Sequence, residues 1–208
     1  MDDLIQTLSR ADQRMRDLYW KDKDLAASLE QAAGALALES AAREAGEEAL
    51  GKVKTISYNV ASFAWPGWAE PGIEITQEQA EIGMRAARLN IELGEELARP
   101  ALPMSRGHWM LGGHLLTVGK SVDAARHFHE AVRLAEEAGE PGDIGISRAC
   151  LAVARYLIEP CPETLAKIEE DVRSLAAVEN GDAYTAQVSA LLQVLGVDLE
   201  AGQAAGAP

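Results

Sequence analysis

Apolar residues recur along this chain at helical spacing. Leu4, Leu8, Ala11, Met15 and Leu18 advance by four, three, four and three, which places them on one stripe of a helix. Leu25, Leu29, Ala32 and Leu36 draw a second stripe. Val53, Ile56, Val60 and Phe63 or Ala64 draw a third, and Ile82, Ala86, Leu89 and Leu93 a fourth. The pattern predicts further helices near 104–118, 121–138, 143–158 and 162–177. Tyr184, Val188, Leu191, Leu195 and Leu199 end the series.

Breakers fall between the stripes: Gly46, Pro100 and Pro103, Gly119, then Gly139, Pro141 and Gly142, then Pro160 and Pro162, and finally Asn180 with Gly181. Glycine ends helices because it takes the left-handed cap without strain, and proline blocks continuation. Thr76, three residues before Gln79, and Ser121, Asp143 and Asp182 read as helix starts. The expectation is an all-α chain of about nine antiparallel helices joined by short turns, with no strand.

Residues 105–138 carry a more specific pattern. Leu111, Gly112 and Leu115 fall on one helix, Gly119 in the turn, and Ala124, Phe128 and Ala131 on the next. This resembles a tetratricopeptide repeat, a 34-residue helix–turn–helix unit. A degenerate copy lies at about 50–98, where Ile56, Ser57 and Val60 match the first helix and Ala80, Met84 and Ala87 the second. The first helices are offset by 55 residues and the second by 44, so the upstream copy holds 11 extra residues, accommodated in the inserted loop 65–76. The resemblance implies helix pairs stacked as a short α-α superhelix, a single domain over 1–200, with 201–208 a disordered tail.

It also implies a concave groove that binds a partner peptide or helix. On this register the candidate groove residues are Lys54 and Tyr58 in the upstream copy and Arg106, Trp109, Leu116 and Thr117 in the stronger one. Trp65 and Trp68 of the inserted loop border it. Gly113, Ala61 and Ser62 lie on the same faces, and Arg148, Arg155 and Tyr156 continue the surface. Some members of the family grip a peptide carboxylate with a Lys/Asn clamp. Here Lys54 is followed by Tyr58 where that clamp wants Asn, so the clamp is not supported. Aromatic and arginine anchors otherwise suit a protein-binding face.

Charge narrows the partners. The chain has 208 residues and a formal net charge of −14. Nucleic acids and anionic membrane surfaces both want a basic face, so neither is expected as a partner. Two cysteines, Cys150 and Cys161, are too few for a zinc motif and read as reduced thiols. The start lacks the basic and apolar runs of a signal peptide, and no apolar stretch reaches membrane-span length. A cytoplasmic protein is the expectation.

Catalytic patterns are missing from the sequence. His127 and His129 stand two apart and His108 and His114 six apart, against a metal-friendly spacing of three or four. There is no HExxH, no phosphate-cradling glycine motif and no GxSxG. Neither a metal nor another cofactor is expected, and the chain is not expected to be an enzyme.

The reading is therefore a non-catalytic adaptor or scaffold. The alternative is a small-molecule binder or enzyme whose pocket is bordered by the Trp-rich loop 62–76. A homodimer through the terminal helices is a companion expectation, because the Leu4–Leu18 and Tyr184–Leu199 stripes need cover.

Overall fold

The computed structural model describes residues 2–68 and 70–199. Among these are ten α-helices, a single 3-10 turn and no strand. Within each unit most helices pack on a neighbour in the chain, the architecture the stripes predict. The helix beyond the expected nine is short, Glu39–Ala45, and only Ala42 is buried on it. With no large apolar residue it draws no stripe of its own. The tail at 201–208 lies outside the described residues.

The chain folds as two compact units. Among the described residues the first holds residues 2–65 together with Glu70–Arg99. Its helices are α1 (Asp2–Trp20), α2 (Leu25–Leu36), α3 (Glu39–Ala45), α4 (Glu47–Phe63) and α5 (Gln77–Glu96). α1 packs on α2 and α4, and α4 packs on α3 and α5. Leu8, Met15, Val53 and Ile56 are buried where these stripes meet, as the helical spacing requires. Tyr19 stacks on Phe63 with ring centroids 4.0 Å apart. The Ser28 hydroxyl donates to the Met15 carbonyl at 3.0 Å, joining α2 to α1.

Among the described residues the second unit holds Pro66–Trp68 and residues 100–199. Its helices are α6 (Ala101–Thr117), α7 (Ser121–Ala138), α8 (Pro141–Ile158), α9 (Pro162–Ala176) and α10 (Gly181–Leu195), each packed on the next. The 3-10 turn Pro66–Trp68 lies against α6 and α10. Gly139 closes α7 in the left-handed conformation, φ 72°, and Pro141 opens α8 two residues later. α10 ends at Leu195 with Gly196 as its left-handed cap, so Leu199 falls beyond it.

The predicted caps divide. Thr76 and Gln79 form the reciprocal box at the start of α5: the Gln79 amide donates to the Thr76 hydroxyl oxygen, and the Thr76 amide to the Gln79 side-chain oxygen. Ser121, Asp143 and Asp182 do not cap. The capping positions are Lys120, Glu140 and Asn180, none with a side-chain cap bond. Asp143 sits inside the first turn of α8, where its carboxylate is taken by Arg106.

Candidate functional site

The stretch at 62–76 divides between the two units. Trp65 is fully buried, 0 % exposed, in the core of the first. Trp68 belongs to the second, where its ring lies 5.8 Å from that of Trp109 at a tilt of 43°. Trp109 is itself buried at 7 % exposure, and Leu116 at 1 %. Trp65, Trp109 and Leu116 are thus core side chains, and they do not present a groove. The reason is local. α6 packs on α7 and α8, and the chain's own Pro66–Trp68 also lies against it.

The remaining predicted residues are distributed as follows. Lys54 is half-buried and donates to the Asn90 side-chain oxygen at 3.3 Å. Asn90 in turn donates to the Lys54 carbonyl at 2.8 Å, so α4 and α5 are joined by a buried polar knot. Burial holds the Lys54 ammonium below its ordinary range, and Arg99 adds repulsion. Tyr58 is half-buried. Thr117 donates its hydroxyl back to the His114 carbonyl within α6 at 3.0 Å. Arg106 is exposed and forks onto Asp143 of α8 at 2.8 and 3.0 Å.

An open surface lies instead along α8, between α7 and α9. Two adjoining hollows of about 250 and 440 Å³ share Leu151 and Arg155 and so form one trench. α7 contributes Arg126 and His129, α8 contributes Arg148 and Arg155, and α9 contributes Lys167. Leu151 and Ala152 form the floor. On α8 the trench residues Arg148, Leu151, Ala152 and Arg155 stand at i, i+3, i+4 and i+7, a single helix face. That spacing is legible in the sequence. What the sequence does not supply is the pair of flanking helices that make the face a trench.

The electrostatics of the trench are uneven. Arg148 is bonded to Glu136 at 2.6 Å, Arg126 to Asp123 at 3.1 Å, and Lys167 to Asp171 at 2.8 Å and Glu170 at 3.0 Å. The guanidinium of Arg155, in the middle, makes no hydrogen bond or ion pair among the described residues. The trench can therefore offer a planar guanidinium with five N–H donors to an incoming acceptor.

A second polar feature escapes the sequence pattern. His108 of α6 and His127 of α7 bring their Nδ1 atoms within 3.0 Å, with rings stacked 5.2 Å apart. They are nineteen residues apart in the chain, so a search for ligand spacing inside one helix passes over them. Burial is the first cause that holds His108 below the ordinary histidine range; Glu130 opposes it and Arg133 reinforces it. On α8, burial pushes the Cys150 thiol up to about 12, while a hydrogen bond from the Trp109 side chain works the other way.

Among the described residues no helix is long and apolar enough to cross a membrane. Comparison with protein-family models, with curated proteins and with solved structures finds no match for the chain.

Proposed function

We propose that this chain is a non-catalytic interaction module, an adaptor or scaffold that holds a segment of another protein on its helix surface. The observation that carries the reading is the open trench on α8, bounded by α7 and α9 and lined by long charged side chains over a short apolar floor. Such a surface offers flexible polar partners at its rim and little enclosed volume, which suits a peptide better than a small molecule. The resemblance of residues 105–138 to a tetratricopeptide repeat supports the same reading. In this reading the binding surface is α8 rather than the α6 face that the resemblance implies, because Pro66–Trp68 packs against α6.

Selection from a random-peptide display library on the immobilised 208-residue chain tests this. Enriched peptides should slow amide exchange along α7, α8 and α9. If no peptide is enriched, or bound peptides protect only other helices, the reading fails.

A further inference from the structure

We infer that the trench on α8 accepts an acidic segment of a partner protein, anchored by one apolar side chain at the Val122–Ile158 end. This rests on the interaction-module reading and adds the partner's chemistry and polarity. The trench is lined by four cations, Arg126, Arg148, Arg155 and Lys167, against one carboxylate, Asp171. That is opposite in sign to the chain as a whole, whose formal net charge is −14. The carboxylates that hold Arg126 and Arg148, Asp123 and Glu136, do not line the trench, and neither does Glu170 beside Lys167. Arg155 is uncommitted at the centre, where a carboxylate could take two parallel N–H bonds.

The apolar end follows from helix direction. α7 and α8 run antiparallel, and Ala125 and Arg155 line the same hollow. One turn before Ala125 stands Val122, and one turn after Arg155 stands Ile158. These are two of the few large hydrophobic residues left exposed, at 55 % and 46 %. They therefore lie at one end of the trench. At about 1.5 Å per residue along α8, Arg155 is about 4.5 Å and Arg148 about 15 Å from Ile158. An extended peptide rises about 3.3 Å per residue. Acidic residues about one to two and about four to five positions from the apolar anchor would meet the two arginines.

Charge complementarity sets register and encounter rate, while the anchor and floor supply burial. A long polyanion would meet the acidic remainder of the chain, whereas a short acidic peptide meets only the trench.

The test uses the peptides selected on the same chain, resynthesised with a fluorescent label and measured by polarisation. Selected peptides should be enriched in Asp and Glu with one large apolar residue. Their affinity should fall about tenfold or more on Arg155→Glu, fall on Ile158→Asp, and weaken as salt rises. Both positions are exposed, and unchanged circular dichroism would confirm that each variant folds; Arg155→Gln serves where the reversal disturbs it. Enrichment of neutral or basic peptides overturns the acidic assignment and leaves the module reading standing. So does affinity indifferent to both Arg155→Glu and Arg155→Gln. Tighter binding of a duplex oligonucleotide than of any peptide also overturns it. A library that yields no binder removes both readings together.

Discussion

The ring of Phe128 lies directly over the backbone of Gly112. A Cβ added at 112 would sit 2.9 Å from two ring carbons of Phe128, closer than side-chain carbons tolerate. Phe128 is fully buried, so its ring has little room to retreat. Only a residue without a side chain lets α6 and α7 approach this closely, and the Ser105 hydroxyl, bonded to the Ala131 carbonyl at 2.8 Å, fixes the pair at the other end.

Gly112→Ala should therefore destabilise the second unit despite its better helix propensity. The overpacking cost is about 1–3 kcal/mol, and the propensity gain is about 1 kcal/mol. A net loss of about 1 kcal/mol is expected, read as a lower thermal midpoint. Adding Phe128→Leu to Gly112→Ala should recover part of it, since it removes the clash. Gly112→Ala at or above the parent midpoint would contradict this packing.

Trp65 and Trp68, three residues apart, should report on different units. Trp65→Ala empties a fully buried site and should cost about 3–5 kcal/mol in the first unit. Trp68 is half-buried against Trp109, so Trp68→Ala should cost about 1–2 kcal/mol in the second. Amide exchange resolved by helix distinguishes the two. Faster exchange confined to α6–α10 in both variants would disprove the division of the loop.

Arg106 and Asp143 form a forked pair in which the carboxylate is nearly buried and the arginine is half exposed. Exposure of the guanidinium discounts the pair, so Arg106→Ala should cost about 1–2 kcal/mol, most of it from stranding Asp143. Asp143→Ala should cost less, because the arginine it leaves behind remains in water. A double-mutant cycle with both residues changed should return a favourable coupling; independence of the two changes would show that the fork contributes nothing.

The histidine pair predicts a pH dependence whose sign can be worked out. Burial favours the neutral imidazole of His108, so the folded state titrates below the ordinary histidine value of about 6.5. Between the folded and unfolded values the unfolded chain binds a proton that the folded chain refuses. The stability contribution is complete above the ordinary histidine range and is lost as pH falls from about 6.5 through the folded value. The groups facing His108 are His127, Glu130 and Arg133, all from α7. An NMR titration should place His108 below the usual range, and His108→Gln should flatten the acid limb of the stability curve. A His108 midpoint at or above 6.5 would refute this.

Much of the fold is legible along the chain because helix formation and helix burial are read by local spacing. The stripes of Leu8, Met15, Val53 and Ile56 became core, and Thr76 with Gln79 closed its box, since each depends only on neighbours within a turn or two. α3 leaves no stripe in the sequence because nothing larger than alanine is buried on it. Asp143 reads as a cap by local spacing, but its partner is Arg106, 37 residues away.

The candidate surface was legible only in fragments. Arg148 and Arg155 share a helix face by spacing alone, but the sequence cannot say that Arg126, His129 and Lys167 stand opposite them. Nor can it say that Trp109 and Leu116 are covered while Val122 and Ile158 are exposed. Periodicity specifies which face of a helix is apolar; it does not specify what covers that face. That was decided by the packing of α7, α8 and α9, and by the turn Pro66–Trp68, which leaves the unit of Trp65 and packs against α6. The sequence by itself determined an all-helical chain with helices packed in succession. Tertiary contact between segments far apart in the chain decided which side chains remain free to meet a partner.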